Sequence, residues 1–169
     1  MTGLTQPQRI IARELAVQAA VLSLHHAPAV HYSQGAHRFD GIKNHLIAAK
    51  GQYPTELDCS ASVTWWLAQG LLFRFKLPDV VNGEKWEAGW TGTLAQHGRQ
   101  VVHLKNVRHG DAVLYGDGPN YEHTAMIVGW KNGVPVVVSH GSEGGPYLLP
   151  WNYRSDANMI RRFILAEYP

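Results

Sequence analysis

The sequence contains a single cysteine, Cys59, and this scarcity limits what can hold the chain together. One thiol cannot form an internal disulfide or a cysteine-rich zinc site, so both kinds of small stapled scaffold are excluded. Charged residues make up only 17% of the 169 residues and hydrophobic residues 45%, which excludes extensive disorder. No run approaches the ~20 apolar residues that span a bilayer, so membrane insertion is not expected.

The chain also lacks a strong charge of either sign, with a formal net charge of +2. Nucleic-acid-binding proteins usually concentrate Lys and Arg on one face, so nucleic acid is not an expected partner. A slightly basic surface does suit an anionic polymer such as a cell wall. The length predicts one monomeric domain over residues 1–169, with an N-terminal helix within 1–30 and the core over about 31–167.

The N-terminal segment has the signals of a helix that stays in the mature protein. Thr5 is a suitable N-cap, Pro7 falls in the first turn, and Gln8 completes a capping box. Glu14 and Gln18 interrupt the apolar run that a signal peptide needs. We therefore expect a helix here and no signal peptide.

Helical patterns precede strand patterns along the chain. Further helices are predicted over about 42–50, from Cys59 to about Gln69 with Gly70 at its end, and over 92–97. Strands are predicted over 101–104, 112–115, 123–130, 134–140 and 160–167. This order favours an α+β fold in which helices pack on an antiparallel sheet.

Cys59 follows Asp58, a good N-cap, and so falls in the first turn of its predicted helix. Amide groups and the dipole at a helix N-terminus stabilise an anion, which predicts a thiol pKa below its ordinary value. This position suits a nucleophile. A buried structural cysteine that happens to follow a cap is the alternative interpretation.

Two histidines lie at the ends of neighbouring predicted strands. His123 begins one strand and His140 ends the next, and a two-residue turn between them predicts that His140 lies two positions from direct pairing with His123. Both imidazoles then point to one sheet face, where His123 can act as base for Cys59 and His140 can orient it. A four-residue loop would place them directly opposite each other, whereas a three-residue loop would put them on opposite faces. Polar residues at strand ends are the plainer interpretation.

These segments resemble the NlpC/P60 family of cell-wall cysteine peptidases. The matching motifs are Asp58-Cys59-Ser60-Ala61, Gly110-Asp111-Ala112-Val113-Leu114-Tyr115, the His123-led strand and His140. Stretches such as Ser139-His140-Gly141-Ser142-Glu143-Gly144-Gly145-Pro146-Tyr147 are similar to the peptidase domain of actinobacteriophage endolysins of the lysin A type.

The resemblance implies a papain-like NlpC/P60 fold and a Cys59–His123–His140 thiol mechanism that needs no cofactor or metal. The implied substrate is peptidoglycan, cut at an amide bond of the stem peptide between D-γ-glutamate and a diamino acid. Asp58 and Ser60 inherit a role in holding the substrate's free amine. Tyr32 is the expected oxyanion-site residue, with Tyr53 as second choice. An endolysin would wait in the host cytoplasm before release to the wall.

Three alternatives remain open from the sequence. A CHAP-type amidase also uses a cysteine followed by a histidine, and Glu143 would then be its third catalytic residue. A non-catalytic wall-binding module would instead contact glycan through aromatic side chains. A toxin-like effector acting on the same polymer would have the same chemistry as an endolysin.

Overall fold

The computed structural model describes residues 3–142 and 144–164 of the chain. The α-helices are α1 (Gln6–His26), α2 (Asp40–Lys43), α3 (Cys59–Ala68) and α4 (Thr91–Gln96). The strands are β1 (His31–Tyr32), β2 (Glu56–Leu57), β3 (Arg99–Gln100), β4 (Ala112–Tyr115), β5 (His123–Lys131), β6 (Val134–Gly141), β7 (Gly144–Pro150) and β8 (Ala157–Arg162).

Six of these strands form an antiparallel sheet in the order β3-β8-β4-β5-β6-β7, and β1 pairs with β2 in a separate parallel ladder. The predicted α+β class is therefore confirmed. Strand β7 was not predicted, because its leading Gly144, Gly145 and Pro146 are typical of a loop. Strand β8 begins earlier than predicted, and residues 165–167 of the predicted strand lie outside the described residues.

Helix α1 begins as its capping signals predict. The Thr5 hydroxyl accepts a hydrogen bond from the Gln8 amide, and the Gln8 side chain accepts one from the Thr5 amide. Its buried face consists of small residues: Ala12, Ala16, Ala19, Ala20 and Ser23. None of the helices within residues 3–142 and 144–164 combines the length and apolar character that crossing a bilayer requires.

Helix α3 lies against α1, and this contact explains why its predicted end is wrong. The helix continues past Ala68 as a π-helical segment over Gln69–Arg74, so Gly70 does not terminate it. A Cβ atom on Gly70 would collide with the backbone of Ala12 in α1. Gly70 therefore serves close helix packing rather than a left-handed cap.

The segment predicted as one helix over 42–50 is interrupted. Helix α2 ends at Lys43, and a 3₁₀ turn over Ala48–Lys50 follows. His45 between them has a positive φ of 53°, which no continuous right-handed helix allows.

The sheet has two differently covered faces. One face packs on α1 and α3 through residues that include Ala112, Leu114, Met126 and Val138. The other face carries a smaller apolar cluster of Val107, Val113, Tyr115, Ala125, Ile127, Val137 and Ile160. Helix α3 therefore approaches only one side of β5 and β6.

The turn between β5 and β6 has the predicted form. Asn132 and Gly133 have positive φ values of 51° and 78°, and Lys131 pairs with Val134. Both central residues of a type I′ turn require this backbone conformation, and Asn-Gly provides it at low cost. The predicted two-residue hairpin loop is confirmed.

The predicted register beyond this turn is wrong. A register shift in β5 immediately before Gly129 places Ser139, not His140, opposite Ala125. Because side chains alternate along a strand, Ser139 shares the face of His123, and His140 points to the face that α3 covers. The two histidines therefore do not share a face as expected.

We predict that Gly70→Ala lowers the free energy of unfolding by about 1–3 kcal/mol, because its methyl group must push α3 and α1 apart. Urea denaturation followed by circular dichroism measures this change. Gly129→Ala is the matched control, since a Cβ atom there meets no neighbour within 4 Å. Equal stability of the two variants would contradict the packing role of Gly70.

Candidate active site

Cys59 begins helix α3, where the predicted cap places it. The Asp58 side chain accepts a hydrogen bond from the Ala61 amide at 2.7 Å and so caps the helix. Just before it, β2 pairs Leu57 with Tyr32 of β1. This ladder brings Tyr32 next to Cys59, whose side chain is buried with only 5% of the residue exposed.

Three hydrogen-bond donors lie near the Cys59 sulfur and each lowers the pKa of its thiol. They are the backbone amides of Ser60 and Thr124 and the hydroxyl of Tyr32. The Thr124 amide belongs to β5, directly after His123, so the sulfur lies at the edge of the strand that carries this histidine. The N–H groups point at the place where negative charge develops on a reacting thiol.

The expected low thiol pKa is nevertheless wrong for this structure. Burial, together with the negative charge of Asp58, raises the pKa of the Cys59 thiol to about 11, despite the opposing amide hydrogen bonds. The carboxylate that caps the helix therefore counteracts the helix N-terminus for an anion on the adjacent residue. Cys59 is a neutral thiol near pH 7.

Tyr32 lies beside Cys59, with its hydroxyl near the sulfur. Burial and the neighbouring Cys59 and Asp58 raise the pKa of its phenol to about 12, so the hydroxyl keeps its proton. Tyr53, the second choice, lies elsewhere: its ring stacks on His26 at 3.7 Å and meets Trp65 edge-on at 5.6 Å. The structure therefore favours Tyr32 over Tyr53 as a group that can meet a developing charge.

His123 is held by Ser139, which was not among the predicted site residues. Its Nε2 lies 2.8 Å from Ser139 Oγ, and this oxygen lies 3.1 Å from the Tyr153 hydroxyl. His123 is buried, and its ring lies 5.6 Å from that of its pairing partner Tyr115. Ser139 thus contacts the imidazole in the way expected of His140.

His140 lies on the α3 side of the sheet. Its Nδ1 is 3.1 Å from Ser62 Oγ, and its ring meets the Tyr32 ring edge-on at 5.7 Å. The Ser62 hydroxyl donates to the Asp58 carbonyl at 2.8 Å, so its oxygen accepts from His140. This assignment places the proton of His140 on Nδ1.

Asp58 and Ser60 are joined to each other and to an unpredicted arginine. Ser60 Oγ donates to Asp58 Oδ1 at 3.0 Å, and Arg38 forms an ion pair with Asp58 Oδ2. These residues line a cavity of about 340 Å³ that also reaches Cys59, Trp90 and Glu122. An arginine that lies 20 positions before its aspartate gives no local sequence signal.

Metal binding has no geometric support in the described part of the chain. Within residues 3–142 and 144–164, no group of at least three His, Cys, Asp or Glu side chains is arranged to hold a metal ion. His37 instead pairs with Asp40 at 2.9 Å. Glu143, the third residue of the amidase alternative, lies outside the described residues.

We predict that alkylation of Cys59 by iodoacetamide accelerates with a midpoint near pH 11, since the raised pKa keeps the thiol neutral below that range. Asp58→Asn retains the helix cap but removes a negative charge, so its midpoint is expected at lower pH. Stopped-flow alkylation against pH measures both. A wild-type midpoint below the ordinary thiol value of about 8.5 would contradict this assignment.

Comparison with known proteins supports the architecture. A scan against protein-family models gives no match to this chain, and a search of curated proteins gives none either. NlpC1 from Trichomonas vaginalis aligns at 16% identity with a TM-score of 0.54, over 89% of this chain and 44% of its own. NlpC2 from the same organism aligns at 16% identity with a TM-score of 0.52, over 96% of this chain and 48% of its own. The chain spans less than half the length of these proteins, and its fold is that of the NlpC structures.

Proposed function

We propose that this protein is a thiol hydrolase that uses Cys59 to cleave an amide bond in the peptide part of peptidoglycan. The observation that carries the proposal is the environment of the sulfur. A buried cysteine at a helix N-terminus lies near two backbone amides and the Tyr32 hydroxyl, beside a strand that begins with His123.

His123 is the proposed base. It directly precedes Thr124, whose amide lies against the Cys59 sulfur, and Ser139 contacts its Nε2. In this proposal the imidazole takes the proton of Cys59. As that proton leaves, the sulfur attacks the amide carbon, a C–S bond forms, and an electron pair moves onto the carbonyl oxygen. Tyr32, the Ser60 amide and the Thr124 amide lie near the sulfur, and the proposal assigns them to this developing charge.

The intermediate then collapses and the C–N bond breaks. The imidazolium of His123 gives its proton to the departing nitrogen, which leaves as an amine, and Cys59 remains as a thioester. Water attacks this thioester with His123 again as base, which releases the carboxylic acid and restores the thiol. Ser139 and Tyr153 keep the imidazole in one orientation through both steps.

The proposed substrate bond is that between D-γ-glutamate and the diamino acid of the stem peptide. Its support is the NlpC-like fold together with the Asp58-Cys59-Ser60 motif and the His123-led strand. A role as a phage endolysin is a narrower form of the same proposal, and its support is the sequence resemblance alone.

We predict that the wild-type protein solubilises purified peptidoglycan and that Cys59→Ala does not, because alanine offers no nucleophile. Mass spectrometry of the products should show a new amine on the diamino acid. Release of whole stem peptides from the sugar would support the amidase alternative instead. Equal solubilisation by both proteins would contradict the thiol mechanism. If both proteins bind peptidoglycan and neither cleaves it, a wall-binding module is favoured.

We predict that His123→Ala lowers kcat by about 10²-fold or more, because base catalysis and leaving-group protonation are both lost. Ser139→Ala should lower kcat by about tenfold and change the pH dependence of kcat, while Ser139→Thr, which keeps the hydroxyl, should recover most of it. His140→Asn can still donate to Ser62, so it should retain more activity than His140→Ala.

Assays of all five variants on one soluble stem peptide test this division of roles. An unchanged pH profile in Ser139→Ala would contradict the positioning role of Ser139. If His140→Ala is as inactive as His123→Ala while Ser139→Ala keeps its activity, the orienting residue is His140 and not Ser139.

A further inference from the structure

We propose that Arg38 makes the cavity beside Cys59 a carboxylate-binding subsite and thereby selects the substrate. The proposal rests on the proposed function, because the carboxylate belongs to the peptide that Cys59 attacks. It differs from the role that the sequence resemblance implies for Asp58 and Ser60, which is to hold a free amine. Three observations support the difference.

The first observation is that the Asp58 carboxylate is already occupied. Oδ1 accepts from the Ala61 amide at 2.7 Å and from Ser60 Oγ at 3.0 Å, and Oδ2 is paired with Arg38 Nη1. A carboxylate offers about four lone-pair positions, so little capacity remains for an ammonium group. The side chain is also 4% exposed, and an incoming amine would have to displace Arg38.

The second observation is the fixed position of the guanidinium. Arg38 Nη2 donates to the Gly89 carbonyl at 2.9 Å, and Cζ lies 4.4 Å from the centre of the Phe39 ring. The Arg38 side chain is 22% exposed, so it is held in place yet reachable from solvent. A preorganised arginine loses little side-chain freedom when it binds an anion.

The third observation is the edge of Arg38 that stays available. Asp58, Ser60 and Gly89 accept from Nη1 and Nη2. Among the described residues, Nε has no hydrogen-bond partner, and Nη2, which carries two hydrogens, has one partner, the Gly89 carbonyl. Nε and Nη2 form one of the forks with which arginine binds a carboxylate through two parallel hydrogen bonds.

Arg38 is the basic side chain among the described residues that line the cavity, and the lining also includes the carboxylates of Asp58 and Glu122. Asp58 forms an ion pair with Arg38 and is 4% exposed, so its carboxylate faces the guanidinium rather than the open cavity. The Glu122 side chain is 75% exposed and pairs with Arg154 at 3.2 Å. An anion therefore meets Arg38 on the wall that adjoins Cys59.

The chemistry of the proposed substrate provides a suitable anion. A glutamyl residue linked through its γ-carboxyl keeps its α-carboxylate free, close to the scissile amide, whereas an α-linked peptide has consumed it. An arginine that binds this group distinguishes γ-linked from α-linked bonds. It also distinguishes a free α-carboxylate from an α-carboxamide, which cannot form the charged pair.

Binding to the inactive Cys59→Ala protein tests the proposal without cleavage. Isothermal titration compares two γ-D-glutamyl–diamino acid peptides, one with the free α-carboxylate and one with the α-carboxamide. We expect the carboxylate peptide to bind about tenfold to a hundredfold more tightly, as for a charge-assisted hydrogen bond. Adding Arg38→Gln should reduce this ratio to about one, while Arg74→Gln, which removes a distant positive charge, should leave it unchanged.

Equal binding of the two peptides by Cys59→Ala would overturn the proposal, as would a preference that survives Arg38→Gln. A peptide with an acetylated N-terminal amine provides the opposite test. If acetylation weakens binding and amidation does not, the site takes an amine and the proposal is wrong. Because these readouts need no turnover, they are separate from the Cys59-dependent cleavage that tests the proposed function.

Discussion

The capping of α3 by Asp58 is the interaction on which the rest of the site depends. One carboxylate satisfies the Ala61 amide at the helix N-terminus, accepts from Ser60 and pairs with Arg38. The cap fixes where the helix begins and therefore where the Cys59 sulfur lies. Burial, together with this negative charge, raises the pKa of the Cys59 thiol. Asp58 therefore favours the position of the Cys59 sulfur but disfavours ionisation of its thiol.

This conflict determines how Cys59 is activated in the proposed mechanism. A helix N-terminus alone would favour a thiolate, but a thiol whose pKa lies near 11 is protonated in the resting protein. In the proposed mechanism its proton leaves as the bond to substrate forms, so the orientation of the proposed base matters more than in a preformed ion pair. The buried contacts from His123 to Ser139 and from Ser139 to Tyr153 provide such an orientation.

Local signals predicted the elements that carry the site. Thr5 with Gln8, Asp58 before Cys59, and Asn132-Gly133 each determine a helix start or a turn within a few residues, and the structure has all three. Gly70 and Arg38 were not predictable in the same way. The contact of Gly70 with Ala12 and the pairing of Arg38 with Asp58 join segments that only the tertiary fold brings together.

The histidine pair shows where prediction from periodicity stops. The hairpin turn is predicted correctly. A single register shift before Gly129, however, moves the β6 residues from Val137 onward to the opposite face from the one predicted. The local signal at this point is Gly129, a lone glycine within the strand, which is compatible with a bulge but does not determine the register. The shift brings Ser139 to His123 and brings His140 to Ser62 and Tyr32. One extra strand residue thereby gives the two imidazoles separate hydrogen-bond partners on opposite faces of the sheet.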